Sequence, residues 1–298
     1  MILAILGGCA TAPDAPIDVR VSNLPDGDHI VLRTPEVEIP ASSETMWCSY
    51  GTWDGGDVGI AAYQRVQSAW GHHLRLLFVD DGAPADDTVI DCTGADVLPL
   101  DEARPVFFPS TDTDEQIVNA LPAGMATPMG EGQRYVLENH VVNTSEAALL
   151  VSDVVLLSVV EPATVSTWAS PWIAALETLS LPPAQSSSAS LDCAIDEPIA
   201  LLFVRGHQHE WGAGVTLDRV DGAGLVAPLY DSGPWQASYR EAAPTTTFWD
   251  APELISAGST LRTNCQWFND TDDTLQYPAE MCEVAGMKLG TEPWICRQ

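Results

Sequence analysis

Six histidines occur among 298 residues, and five of them fall in three tight places: His72-His73, His140 and His207-Gln208-His209. Imidazole is the commonest protein ligand for metals, so this grouping reads as metal chemistry. In the run 200–209, a period-two strand puts Arg205, His207 and His209 on one face, where imidazoles at i and i+2 converge on a single ion. Gly206 between them allows a close approach to the backbone. Neighbours in a regular strand point to opposite faces, so His72 and His73 share an ion only at a bulge or strand end. Gly71, immediately before them, favours such a break. His140 shares a strand face with Glu138; a lone strand histidine is more often a hydrogen-bonded core residue, and its weight comes from the other histidines. His29, in Asp26-Gly27-Asp28-His29, reads as a surface turn residue. Nitrogen donors suit zinc, copper, nickel or iron, whereas a thioether selects Cu(I). Met281, in Ala279-Glu280-Met281-Cys282, offers one, although a methionine beside a disulfide cysteine usually just packs.

The elements that must position these residues read as strands. Runs rich in Val, Leu, Ile and aromatic residues recur at 58–62, 72–79, 134–142, 153–160, 198–209, 214–220 and 259–266, with Asp-Gly and other turn residues between them. The 22 glycines and 22 prolines favour many short strands over long helices. The expected fold class is all-β, with short helices at 111–121 and 172–179. The length suits two domains. A composition break at 161–171 divides 19–165 from 166–298, and the Ser-rich stretch 181–188 reads as a loop of the second unit. No short-period repeat is present, although two units of similar size would be a coarse duplication.

A net charge of −30, from 12 Lys plus Arg against 42 Asp plus Glu, leaves no basic stripe for phosphates. Nucleic acid and anionic membrane surfaces are therefore excluded as expected partners. Of seven cysteines, Cys9 in Leu6-Gly7-Gly8-Cys9 resembles a bacterial lipobox, with 1–18 as signal remnant and tether. Only eight residues precede Cys9, which places the expected start inside a longer signal. The reading is an exported envelope lipoprotein whose membrane contact is a lipid anchor at Cys9. The other six, Cys48, Cys92, Cys193, Cys265, Cys282 and Cys296, are even in number and never spaced Cys-x-x-Cys, which in an exported chain points to three disulfides.

Taken together, Glu44-Thr45-Met46-Trp47-Cys48, Gly71-His72-His73-Leu74, 133–140, Leu191-Asp192-Cys193, 203–212, Cys265 and Glu280-Met281-Cys282 resemble, in order and spacing, the ascorbate-dependent type II copper monooxygenases. This is the family of peptidylglycine α-hydroxylating monooxygenase and dopamine β-monooxygenase, and the resemblance runs from about Val37 to Cys296. It implies two antiparallel, jelly-roll-like β-sandwiches in tandem, each carrying one copper. His72, His73 and His140 would hold the electron-donating copper, and His207, His209 and Met281 the copper that binds O₂. Disulfides Cys48–Cys92, Cys193–Cys296 and Cys265–Cys282 are implied, with ascorbate or another reductant as electron donor. Arg205 matches the arginine that pairs with a peptide carboxylate; an ordinary ion pair with an acidic neighbour accounts for it equally well. The chain departs from the peptide-hydroxylating branch at Glu283, Val284 and Ala285, where that branch has Asn and then Tyr, and at Glu138, where it has Gln. It also lacks two of the usual disulfides. The substrate, a small molecule or peptide, is thus left open. Two other readings stand beside the enzyme: a non-catalytic copper-binding lipoprotein, and a sugar- or surface-binding module using some of the ten tryptophans.

Overall fold

The structure is a computed structural model and describes residues 28–68, 70–80, 82–93, 104–106, 118–277 and 279–298. Cys9 and most of the run 111–121 lie outside them. The principal strands are β1 (Asp28–Arg33), β2 (Ser43–Thr52), β3 (Val58–Val66), β4 (Gly71–Val79), β5 (Met125–Met129), β6 (Arg134–Asn143) and β7 (Val154–Val160) in the first half. The second half contributes β8 (Thr167–Leu176), β9 (Gln185–Ala194), β10 (Ile199–His207), β11 (Gly212–Val220), β12 (Val226–Asp231), β13 (Thr260–Asn269), β14 (Cys282–Leu289) and β15 (Trp294–Arg297). The fold is all-β, as expected.

Each half closes two sheets over its own core. In the first, the order β1-β7-β3-β5 faces β2-β6-β4; in the second, β8-β14-β10 faces β9-β13-β11-β12. Alternation supplies the inward faces: Leu74, Leu76 and Phe78 of β4 pack on Ile60, Tyr63, Val155 and Leu157, while Leu191, Val204, Val215, Leu261 and Val284 build the second core with Trp172 and Trp267. A short parallel pairing of β5 with β8, at Thr167 and Trp168, joins the halves into one long sheet. Disulfides link Cys48 to Cys92, Cys193 to Cys296 and Cys265 to Cys282. Such links suit an oxidising compartment, and each typically contributes about 2–4 kcal/mol.

One loop is built twice. Asn143, closing β6, donates its side-chain amide to the carbonyls of Ile39, Pro40 and Ala147, and its Oδ1 accepts from the backbone and hydroxyl of Ser145. Asn269, closing β13, does the same toward Leu181, Pro182 and Asp273, with Thr271 in place of Ser145.

Four sequence expectations fail here. The run 172–179 is not a helix: β8 extends to Leu176, with Trp172, Ala174 and Leu176 in the core and Ile173 and Ala175 on the opposite face. Both faces are covered, so the run is continuously apolar and carries no strand-like alternation. In 111–121, Val118–Ala120 is a strand pairing β3. The Ser-rich run is not a loop throughout, because Gln185–Ala194 is an edge strand whose serines mostly face solvent. His29 lies in β1 opposite Ser158 rather than in a turn.

Candidate metal centre

The bulge that His72 and His73 require is present. Strand β4 pairs antiparallel with β6, matching His73 to His140 and then Gly71 to Val141, so His72 is the extra residue. Trp70, just before, has a left-handed φ of 79° that turns the chain into β4. The bulge brings both rings to one side, with His140 reaching them from β6. Ring centroids are 5.4 Å (His72–His73), 4.7 Å (His72–His140) and 4.9 Å (His73–His140) apart. One ring nitrogen from each lies within 4.8 Å of the others, and among the described residues this is the one such cluster of three or more His, Cys, Asp or Glu.

The hydrogen bonds decide which nitrogens face inward. His73 Nε2 bonds Glu138 Oε1 at 2.9 Å, and His140 Nε2 bonds Glu44 Oε1 at 2.7 Å. That leaves Nδ1 of each ring for a ligand, and His140 Nδ1 is buried with no hydrogen-bond partner. His72 Nδ1 stands 3.2 Å from His73 Nδ1. Two nitrogens about 2.0 Å from a metal at a tetrahedral angle would be about 3.3 Å apart. A carboxylate on the far nitrogen is the usual way a protein orients a metal-binding imidazole. The donor set therefore fits a nitrogen-preferring ion.

Glu138 is 1% exposed, and a charge buried to that degree needs a partner. Arg75, two residues beyond His73 on the same face, supplies it through Nε at 2.7 Å and a further contact from Nη2. Burial would raise the Glu138 pKa, but Arg75 and His73 override it and hold the group at about 2. Burial pushes His73 down to about 4, against the hydrogen bond that it donates to Glu138.

Both shifts act in the same direction on stability. Between pH 6.5 and 4 the unfolded chain takes up a proton on His73 that the folded chain refuses. Below pH 4.5 the unfolded Glu138 does likewise, down to about 2. The metal-free protein is expected to lose stability as pH falls through these windows. Urea midpoints measured from pH 8 to pH 3 should be level above pH 7 and decline below 6.5; a midpoint flat down to pH 4 would contradict this arrangement.

The second group hangs on β10 and the segment before β14. His207 ends β10, and His209 follows beyond it, with ring centroids 5.1 Å apart and planes at 84°. Gln208 between them is buried and donates to the Gln266 carbonyl, confirming the alternation. The space at Gly206 is used from the core side, where a Cβ would meet Tyr230 and Val215 at 3.0 Å. His209 Nδ1 donates to the Ala279 carbonyl at 3.0 Å, leaving Nε2 for a ligand.

Glu280, fully buried, is the keystone of this segment. Its Oε1 accepts the backbone N–H of His209 (2.6 Å) and of Met281 (2.8 Å), and its Oε2 accepts that of Trp211 (3.1 Å). The backbones of His209 and Met281 are thereby tied to one oxygen, and the Cys265–Cys282 disulfide fixes the next residue. Burial also keeps His207 and His209 neutral, which is the ligand form.

The two groups lie within electrostatic reach of each other: His209 and Arg240 act on His72, and Arg75 acts on His207. Arg205 sits two residues before His207, on its face and partly accessible. Sequence reasoning missed the anchoring roles of Glu44, Arg75 and Glu280. Only Glu280, next to Met281, carried a signal, as a carboxylate adjoining a candidate ligand.

No protein-family model and no curated protein matches the chain. Among solved structures, the chain is similar to the major capsid protein P2 of bacteriophage PM2, at 10% identity and a TM-score of 0.37, covering 89% of this chain and 98% of that one. It is similar to PNGase F, a glycosylasparaginase from Flavobacterium meningosepticum, at 9% identity and a TM-score of 0.40, covering 90% and 98%.

Proposed function

We propose that the protein is a copper-dependent monooxygenase that hydroxylates a C–H bond of a small molecule or peptide with O₂ and electrons from ascorbate or another reductant. The observation that carries the reading is the pairing of two unlike donor sets within electrostatic reach. One is three imidazoles with Nδ1 turned inward; the other is the His207 and His209 imidazoles, with the His209 backbone sharing a buried carboxylate with that of Met281. Nitrogen with a thioether selects copper over zinc or iron. Copper, when bound, supplies the redox chemistry and O₂ activation that side chains lack.

The chain's own residues hold and orient. Glu138 and Glu44 fix the tautomers of His73 and His140, and the Ala279 carbonyl fixes that of His209. Partial burial limits water around the second site. Arg205, on the His207 face, orients the substrate. The three disulfides accord with export, and we place the protein on the bacterial envelope, tethered by a lipid on Cys9.

Two coppers per chain are expected. X-ray absorption of the reduced protein should contain a Cu–S component that disappears in Met281→Ala, while the nitrogen-only site persists. A single bound metal, or preference for zinc over Cu(I), would sink the reading.

A further inference from the structure

Burying a carboxylate costs free energy unless donors meet it, and Asp153, fully buried, belongs to neither donor set. It stands just before β7, where Thr34, just past β1, fixes its backbone. The Asp153 N–H donates to Thr34 Oγ1, and the Asp153 carbonyl accepts the Thr34 N–H, both at 2.9 Å. From there the side chain crosses to the elements of the triad. Its Oδ1 accepts the backbone N–H of Ser68 at 2.6 Å, and its Oδ2 accepts the Asn139 side-chain amide at 2.7 Å. Asn139 Oδ1 in turn accepts from Gln67 Nε2 at 3.1 Å.

These two contacts reach the two segments that carry the triad. Asn139 precedes His140 on β6 and points to the opposite face, into the sandwich. Ser68 begins the turn into β4: its carbonyl accepts the Gly71 N–H, and the carbonyl of the left-handed Trp70 accepts the Val142 N–H, both at 3.0 Å. A bulge leaves one residue unpaired and shifts the register, so the regular ladder does not set where His72 and His73 stand relative to His140. A left-handed residue other than glycine likewise persists only where its surroundings over-determine it. One carboxylate with an oxygen on each segment supplies that constraint.

The second half repeats the arrangement around its own ligands. Asp153 and Glu280 each lie between the short strand after an asparagine loop and the next long strand, β7 or β14. Each accepts the backbone N–H of a residue just beyond the partner strand, Ser68 after β3 and His209 after β10. The residue before each is a glutamine, Gln67 or Gln208, whose amide donates to the facing sheet at β6 or β13. In the second half the carboxylate holds ligand backbones directly; in the first it holds the triad from behind.

We propose that Asp153 is the positioning residue of the histidine triad: its two oxygens fix β4 against β6 so that the three Nδ1 atoms converge. This rests on the triad binding a metal, and not on the oxidation that follows. The test uses the full chain carrying His207→Ala, which leaves the triad as the complete donor set, and reads the Cu(II) dissociation constant at neutral pH by chelator competition. Asn139→Asp sets a second carboxylate against Asp153, and Asp153→Ala removes the anchor. Each is expected to weaken Cu(II) binding about 10–100-fold in protein that remains folded. Adding Asp153→Asn to Asn139→Asp exchanges donor and acceptor and keeps all three hydrogen bonds, so affinity should return to that of the parent. Lost stability with copper affinity untouched in both single variants would overturn the proposal, as would a double variant that binds no more tightly than Asn139→Asp. Should Asp153→Ala fail to fold, Asn139→Asp and its double variant still decide. A parent that takes up no copper overturns this inference together with the metal reading. Rescued copper binding without hydroxylated product, once His207 is restored, would sink the monooxygenase alone.

Discussion

His140→Ala and His207→Ala are each expected to lose one of two coppers and all hydroxylation coupled to ascorbate. Inserting one oxygen atom of O₂ into a C–H bond, with the other leaving as water, takes two external electrons and two protons. In the proposed reaction each copper would supply one electron, so neither site would suffice alone. Both histidines are partly exposed and stand outside the cores, so neither change should unfold the protein. The His140–Glu44 pair is worth little to stability, because Glu44 is solvent-exposed. Copper stoichiometry and product mass, measured on wild type and both variants, decide the matter. A copper carrier with independent sites would lose half its copper and keep the rest of its function. Wild type that binds two coppers and oxidises ascorbate without product, across a broad substrate screen, would favour the carrier.

Glu280→Ala should be the most damaging single change outside the ligands. It strips the acceptor from the backbone N–H groups of His209, Trp211 and Met281 in a site with no exposure. Leaving buried donors unsatisfied costs about 1–3 kcal/mol for a group and more around a charge, so a loss of about 3 kcal/mol is expected. The consequence should be local as well as global. The Cu–S component should vanish, because His209 and Met281 no longer share an anchor, while the His72/His73/His140 site keeps its metal. Chemical denaturation and X-ray absorption on the same variant read both effects. A variant of unchanged stability with Cu–S intact would show that Glu280 does not hold the segment.

Local chemistry made much of this readable from the chain. The alternation of β4, β6, β10 and β13, the bulge after Gly71 and the common face of Arg205 and His207 follow from period-two geometry and a single glycine. What could not be read depends on register between distant strands. Ile173 and Ala175 look like part of a continuous apolar run until both sheet faces are known to be covered. The Ser186-Ser187-Ser188 stretch looks like a loop because an edge strand has little to bury on its outer side. Glu138 shares the His140 face as period two requires, but the partners that fix it, His73 and Arg75, stand on the neighbouring strand.

The twice-built asparagine loop sets the two halves in correspondence. Asn143 faces Ser43 across the sheet, and Asn269 faces Gln185; each caps a carbonyl three residues before that partner, Pro40 and Pro182. Each loop is also followed by a short strand that pairs back, Leu149–Val151 with Val37–Ile39 and Leu275–Gln276 with Ser180–Leu181. The two halves thus share one loop-and-strand device at equivalent places. The histidine groups do not follow that correspondence. Three residues before Asn143 stands His140, but three before Asn269 stands Gln266, whose carbonyl serves Gln208. The first triad occupies β4 and β6, whereas His207, His209 and Met281 belong to β10 and the approach to β14, in the other sheet. The correspondence of the halves stops at the scaffold: one half gathers three imidazoles on neighbouring strands, and in the other a single buried carboxylate ties the His209 backbone to that of Met281.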